Sequence, residues 1–440
     1  MAEPLKVGVA GLGTVGTAVI HLLQTGREKL ASRCGRPIEV VAVSARSRAK
    51  KRDIDLRNYR WVADPAALAG DPSIDVLVEV IGGAGDPAKR AVETALDAGK
   101  PVVTANKALL ARHGHKLAAL AERHRVALNF EASVAGGIPV VKTLREGLNG
   151  NTFTRIYGIL NGTCNYILSR MEQDRLSFDE CLRDAQRLGY AEADPSFDVE
   201  GRDTAQKLAI LASLAFGTKV DPDAIYVEGI SSITLADLDA AGELGYRVKL
   251  LGVAVKTEAG IEQRVHPTMV RKDSAIAQVM GVTNAVTLDA DGIAPITLVG
   301  PGAGGTATAA AVVSDIADIA RGVRTPPFGR PAAHMTTIRK APMQRHEGGY
   351  YIRLLARDRP GSAATIARRL AQQRISIESI VQRHDAHGPA NAKSGRSGAP
   401  VPVILITYAT SEDAVRKALA AVRRDRVISG RPQVIRIEKN

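Results

Sequence analysis

Short apolar runs separated by amphipathic stretches open the chain. Val7-Gly-Val-Ala, Val40-Val-Ala-Val, Val76-Leu-Val-Glu-Val-Ile, Pro101-Val-Val-Thr and Ala127-Leu-Asn-Phe-Glu have the length and β-branched content of buried strands. The segments between them repeat their apolar positions at helical spacing, as in 17–23. This alternation over residues 1–133 predicts an α/β fold, a Rossmann-type doubly wound parallel sheet with its ligand edge at the strands' C-terminal ends. From 134 to 310 β-patterned runs alternate with amphipathic helices, which predicts a second, α+β domain entered through Val134-Ala-Gly-Gly-Ile-Pro, a glycine-rich hinge. An apolar helix over 310–320, within a segment reaching 335, is expected to complete the first domain. Beyond the proline-rich linker Thr325-Pro-Pro-Phe-Gly-Arg-Pro, residues 349–440 make a third unit. Strands are expected at 350–356, 376–382, 403–409 and 433–437 and helices at 363–373 and 411–422, in the order βαββαβ. The Gly/Ser-rich polar stretch 384–400 reads as a mobile hairpin loop.

Chemistry enters first at Gly11-Leu-Gly-Thr-Val-Gly, between the first strand and the first helix. Gly11 permits the tight turn, Gly13 lets the backbone approach a pyrophosphate, and Gly16 allows close helix–strand packing. Thr14 and Val15 stand at the helix N-terminus, where phosphates bind. An NAD-selective site places Asp or Glu after the second strand, at 38–43. Here Val43-Ser-Ala-Arg-Ser-Arg is followed by further cations. A 2′-phosphate suits that run, so NADP is the expected cofactor, with Arg46 or Arg48 as its clamp, Ser44 nearby and NAD still possible. At the same edge, Gly82 could admit the nicotinamide ribose, and Thr104-Ala-Asn-Lys107 closes a strand and opens a helix. The Gly300-Pro-Gly-Ala-Gly304 loop, leading into an apolar helix, reads either as a cap on the cofactor from the other side or as a tight turn into a packed helix.

A polar segment, 188–207, crowds five carboxylates, an arginine and a lysine into one amphipathic stretch. If 201–215 is helical, Asp203 and Lys207 are four apart and share a face. Glu192, on the Gly189-Tyr-Ala-Glu turn, could join them only through a tertiary contact. Asn161-Gly-Thr163 reads as a strand end entering a helix, where Thr163 and neighbouring amides could hold a carboxylate.

Composition narrows these readings. A chain of 440 residues, 45% hydrophobic, accommodates two or three globular domains. Its net charge of +13 raises the question of nucleic acid, but aromatics make up only 4%, the basic residues are spread throughout and no recognition motif accompanies them. Apolar runs are too short for a membrane span, and no signal-peptide pattern opens the chain, so a cytoplasmic protein is expected. Cys34, Cys164 and Cys181 lack CxxC spacing, which fits a reducing compartment and argues against structural zinc.

Taken together, the Gly11–Gly16 loop, Thr104-Ala-Asn-Lys107, Glu131-Ala-Ser-Val-Ala-Gly-Gly-Ile-Pro, Asn161-Gly-Thr, the Gly189 to Lys207 segment and Gly302-Ala-Gly304 resemble the monofunctional homoserine dehydrogenases over about residues 5–335. The third unit resembles an ACT domain. The resemblance implies NAD(P)-dependent interconversion of L-homoserine and L-aspartate 4-semialdehyde, on the route to threonine, methionine and isoleucine. It implies Lys207 as the acid/base at the substrate's terminal oxygen, Lys107 as a second lysine there, and Glu192 and Asp203 as substrate ligands. Gly189 and Gly304 fall in motifs that touch the cofactor. It further implies a monovalent cation, Na+, held by Glu131, Val134, Gly136 and Ile138; a threonine effector at the ACT turn containing Asp358 and Gly361; and a homodimer or homotetramer. The absence of a kinase-like segment before the nucleotide fold reads as the monofunctional form. Two rival readings carry their own markers. A thioester-forming semialdehyde dehydrogenase needs a cysteine nucleophile, for which Cys164 is the candidate; a non-catalytic nucleotide and amino-acid sensor would tolerate loss of Lys207.

Overall fold

A computed structural model describes residues 2–343, 346–382 and 400–438. The expected hairpin loop at 384–400 lies, but for its last residue, outside the described residues.

The five N-terminal apolar runs form strands and, with a two-residue strand, one sheet. Its strands are β1 (Leu5–Ala10), β2 (Ile38–Ser44), β3 (Arg60–Trp61), β4 (Val76–Glu79), β5 (Val102–Thr104) and β6 (Leu128–Asn129), in the spatial order β3-β2-β1-β4-β5-β6. Every pairing is parallel. The order reverses beside β1, so a crevice opens there at the strands' C-terminal ends. On one face of this sheet Val7, Val9, Val19 and Ile20 share a core with Val312 and Ile316 of the helix Gly305–Ala320. That helix therefore packs on the nucleotide fold although it is far off in sequence, and it begins five residues before the expected 310.

The second sheet contains β7 (Phe153–Ile159), β8 (Tyr226–Val227), β9 (Tyr246–Thr257), β10 (Gly260–Arg271), β11 (Thr283–Ala290), β12 (Ile296–Pro301), β13 (Glu347–Arg357), β14 (Ile377–Gln382), β15 (Pro400–Thr407), β16 (Thr410–Ser411) and β17 (Ile428–Ile437). Its main path runs β12-β11-β7-β9-β10-β17-β13-β15-β14. With the helices Ser362–Gln372 and Glu412–Arg424, the C-terminal strands give the expected βαββαβ unit. β17 is longer than expected, and it pairs in parallel with β10 at Thr268↔Arg436 and Met269↔Ile437. The C-terminal unit thus continues the central sheet instead of hanging from the linker.

The Val134–Ile138 segment read as a hinge is packed: Val134, Ala135 and Ile138 are buried. The Gly137 amide donates to Pro301 O at 2.9 Å. A side chain at Gly136 would strike the carbonyl of Gly302, its Cβ 2.6 Å from that oxygen. Its glycines serve close approach of two loops.

Candidate functional site

The phosphate loop is shaped by contact distances. Gly11 has φ +106°, and a Cβ there would lie 2.5 Å from Val80 O; a Cβ on Gly16 would lie 2.0 Å from Gly11 O. At Gly13, which is the N-cap of the helix Thr14–Thr25, the space is open. Gly304 caps the helix Gly305–Ala320 with φ +112°, and a Cβ on Gly305 would lie 2.8 Å from Thr14 Cγ2. Two helix N-termini therefore converge on one spot, each offering unpaired amides to an anion.

Two cavities share Val80 and Ile81. The outer one, about 660 Å³, is lined by Gly11, Gly13, Ser44, Arg46, Lys50 and Arg52. Arg48 is not among its walls. Arg52, absent from the expected clamp, donates to the carbonyls of Leu12 (3.0 Å), Lys50 (2.8 Å) and Ser47 (2.8 Å) and so braces the basic loop. The inner cavity, about 230 Å³, is lined by Val15, Gly82, Asn106, Lys107, Lys207 and Gly302, among others. Thr104 is fully buried and donates to Glu79 Oε2 at 2.6 Å; Glu79 Oε1 accepts the amides of Ile81 (2.8 Å) and Gly82 (3.1 Å). Glu79 thereby holds the Gly82 turn to the Thr104-Ala-Asn-Lys strand end.

The helix Arg202–Phe216 begins at Gly201, in the left-handed region at φ +81°, and carries Asp203 and Lys207 one turn apart, as expected. Asp203 is buried and bridges two lysines: Lys207 Nζ donates to Oδ2 and Lys107 Nζ to Oδ1, both at 2.8 Å. Lys207 Nζ also donates to Leu160 O at 2.7 Å. Burial pushes the Asp203 carboxyl up, but Lys207 and Lys107 outweigh it and hold the group well below the usual carboxylate range.

Asn161 caps the helix Gly162–Asp174, its Oδ1 accepting from the Cys164 amide, while its Nδ2 donates to Asp203 Oδ2 and Asp198 Oδ1, each at 2.8 Å. Neither Asn161 nor Asp198 was singled out from sequence as a site residue; the helix-cap pattern at Asn161 was the available signal. Asp198 is raised by burial and by Asp203. Thr163 is buried, with its hydroxyl donated to Tyr190 O at 2.6 Å. Glu192 is exposed on the turn; its carbonyl accepts from Gln186 Nε2, and among the described residues its carboxylate makes no bond to either lysine. Gly189, φ +77°, is exposed on the same turn and lines neither cavity. Asn284 is buried against the Gly302 loop and, among the described residues, neither of its amide atoms is paired, a gap also missed by sequence reading.

Cys164 has no exposure and donates its thiol to Asp198 O; burial first, then Asp198, drives its pKa well up. A buried, protonated thiol is a poor nucleophile, which removes the thioester reading.

The chain is matched by family models for the homoserine dehydrogenase NAD-binding domain over residues 11–131, homoserine dehydrogenase over 139–317 and the ACT domain over 350–425. It is 44% identical to the homoserine dehydrogenase of Pseudomonas aeruginosa, with 99% of each chain covered. The chain belongs to the homoserine dehydrogenase family. The crystal structure of a homoserine dehydrogenase from Thiobacillus denitrificans superposes with TM-score 0.90 at 41% identity, covering 99% of this chain and 98% of that one. A hyperthermophilic archaeal homoserine dehydrogenase in complex with NADPH matches at TM-score 0.62 and 26% identity, over 73% of this chain and 99% of its own. This homoserine dehydrogenase is an NAD(P)-dependent oxidoreductase of amino-acid biosynthesis, interconverting L-homoserine and L-aspartate 4-semialdehyde.

The cation that the resemblance implies has a chemically suitable place. Among the described residues no cluster of three His, Cys, Asp or Glu could hold a metal. The buried carbonyls of Val134 and Gly136, however, accept no hydrogen bond there, whereas Ile138 O accepts the Val140 amide at 2.8 Å. The Glu131 carboxylate is turned to the amides of Val141 and Lys142, both at 2.8 Å, leaving carbonyl oxygens as the available donors. At the ACT turn Asp358 and Gly361 are exposed, with Gly361 at φ +88° capping the helix Ser362–Gln372. No described helix is long and apolar enough to cross a membrane.

Proposed function

We propose that Lys207 is the acid/base of the reaction and that Asp203 holds it beside Lys107 at the reacting end of the substrate. The carrying observation is the carboxylate bridge between two lysines on the wall of the inner cavity. An ammonium has three N–H donors. Leu160 O and Asp203 take two from Lys207, leaving the third for the substrate's terminal oxygen. During reduction of the semialdehyde that proton goes to the oxygen as it becomes an alkoxide, and during oxidation Lys207 takes the hydroxyl proton back. Lys107 adds positive charge to the same oxygen, a preorganised electrostatic stabilisation. Thr163 and Glu192 serve the amino-acid end, which requires the Glu192 turn to fold in over the substrate.

When bound, NADP accepts or supplies the hydride. Gly11, Gly13, Thr14, Val15, Gly16 and Gly304 would hold its pyrophosphate, Gly82 its nicotinamide ribose and Arg46 its 2′-phosphate. Gly189 would approach it on closure of the turn. The site contains no carboxylate equivalent to that of an NAD-selective strand end. The buried carbonyls of Val134 and Gly136, with Glu131 and Ile138, suit Na+ or another monovalent cation. Residues 1–133 with 310–335 serve the cofactor, 134–310 the substrate and subunit contact in a homodimer or homotetramer, and 349–440 feedback by threonine. Buried free cysteines suit a cytoplasmic enzyme.

The direct test is the initial rate with L-homoserine against NADP and then NAD, repeated for Lys207→Met alongside a cofactor-binding titration. Homoserine-dependent turnover favouring NADP, lost in the variant while cofactor still binds, is expected. Turnover retained by Lys207→Met would overturn the assignment.

A further inference from the structure

Asn284 stands near the start of β11, opposite Gly300 of β12, and beyond Pro301 the chain turns back over its side chain. The residue is 1% exposed. A Cβ placed on Gly302 would overlap the Asn284 carboxamide, while Gly136 presses on the same peptide from its C–O side. The Gly302 peptide is therefore held between a side chain and a backbone, and the thickness of residue 284 sets how deep the loop sits. Gly302 and Ala303 form part of the inner cavity's wall, which also carries Lys107 and Lys207.

The same side chain reaches the substrate helix. A Cβ on Gly162 would lie 2.7 Å from Val282 O and 3.5 Å from Asn284 Oδ1. Gly162 and Thr163 open the helix Gly162–Asp174, and among the described residues their amides donate to no acceptor. One carboxamide thus lies between the loop that ends at Gly304 and the helix start that carries Thr163. Its Nδ2 is against Gly302 and its Oδ1 nearer Gly162. A carboxamide offers two N–H donors and an acceptor oxygen, and among the described residues Asn284 uses none of them. A buried polar group left unpaired is worse than an apolar one of the same shape, so leucine would suit a static contact better. The position calls for an amide only if movement of one wall brings it a partner.

We propose that Asn284 is a positioning residue that ties the cofactor loop to the substrate helix. When cofactor settles the Gly302–Gly304 loop, the carboxamide bonds to the loop backbone and to the first-turn amides at Gly162 and Thr163, and this fixes the helix for homoserine. The proposal rests on the reading that this loop meets the cofactor. By linkage, cofactor and homoserine then raise each other's affinity by one common factor.

That factor is measurable on the full chain. L-Homoserine is already reduced at its terminal carbon, so it forms an unreactive complex with NADPH, and its Kd is read by calorimetry with and without NADPH. The wild type is expected to bind homoserine at least tenfold tighter with NADPH present. Asn284→Leu, which keeps the bulk and removes the hydrogen bonds, should cut that factor at least fivefold, raise KM for homoserine more than it lowers kcat, and leave Tm and the Kd of NADPH alone unchanged. A double-mutant cycle gives an independent reading. Gly302→Ala should lower kcat/KM at least tenfold by driving the loop off Asn284, and Asn284→Ala added to it should recover threefold or more.

An unchanged coupling factor in Asn284→Leu, or additive losses in the cycle, would overturn the role of Asn284 and leave the loop's part in cofactor binding standing. Equal homoserine affinity of the wild type with and without NADPH would do the same. A lowered Tm with proportional loss of every constant in both Asn284→Leu and Asn284→Ala would reduce the residue to packing and refute the proposal. If Gly302→Ala leaves NADPH affinity and kcat/KM intact, the loop does not meet the cofactor and both readings fall.

Discussion

At the scale of single residues, Asp203 decides the geometry, because one carboxylate fixes two ammonium groups that would otherwise repel each other. Asp203→Asn removes the charge but keeps the shape. Kcat/KM is expected to fall by about 10²–10³, comparable to losing a preorganised electrostatic contact, with cofactor affinity little changed; steady-state kinetics and a binding titration separate the two. The cofactor clamp gives an independent prediction. Arg46→Ala should raise KM for NADP at least tenfold and alter KM for NAD far less, since a guanidinium–phosphate contact is charge-assisted; equal losses with both cofactors would count against the clamp. The i,i+4 relation of Asp203 and Lys207 was legible in sequence, as was the glycine loop, because both are local. The meeting of Lys107 with Asp203 was not, since it depends on two domains closing on each other. Asn161 joins the same network through a tertiary contact that its role as a helix cap does not reveal.

Among elements, the helix Gly162–Asp174 is fastened to the 279–283 loop by a buried polar group that no periodicity announces. Lys249, on β9, donates to Asn165 Oδ1 at 2.9 Å and to Val279 O at 2.6 Å, and Asn165 Nδ2 donates to the carbonyls of Val279 (3.2 Å) and Thr283 (3.1 Å). In the sequence Lys249 looks like a polar interruption of an apolar strand. Burial, aided by Arg247 and opposed by Glu172, pushes its pKa down to about 7. An unfolded lysine titrates near 10.4, so between about 7 and 10 the unfolded chain keeps a proton that the folded one has lost, and stability contributed by this group rises with pH. Below about pH 7 its cost is fully present. Urea denaturation at pH 6.5 and 9 should show Lys249→Met gaining less on the alkaline side than the wild type, by on the order of 1–3 kcal/mol. In residues 1–133 most strands were readable from spacing, whereas over 134–310 only the alternation of strand and helix was. The packed state of 134–138 was not, because glycines that permit bending also permit the close loop contact found there.

Over the whole molecule, the ACT unit and the catalytic domain are joined by buried charge as well as by the sheet. Arg436, 2% exposed, reaches Glu412 of its own unit at 2.7 Å and Glu228 of the catalytic domain at 2.6 Å. Arg155 and Arg264 meet Glu438 at 2.6 and 3.2 Å. Arg436→Met removes the cation shared by Glu228 and Glu412, leaving Glu412 with Arg416 alone and Glu228 without an ion pair among the described residues. A loss of about 3–5 kcal/mol is expected, seen as a lowered Tm and faster amide exchange in β17 and β10; exchange confined to β14 and β15 would show that the junction does not depend on Arg436. The βαββαβ order of this unit was legible, but its merger with the central sheet was not, since a pairing of two residues leaves no mark in a hydrophobic pattern. That merger also bears on how the chain is made. β17 follows every other strand in the order of synthesis, yet it lies between β10 and β13. Until it leaves the ribosome, both neighbours present unpaired edges, and the two halves of the sheet wait for the last-made strand to join them.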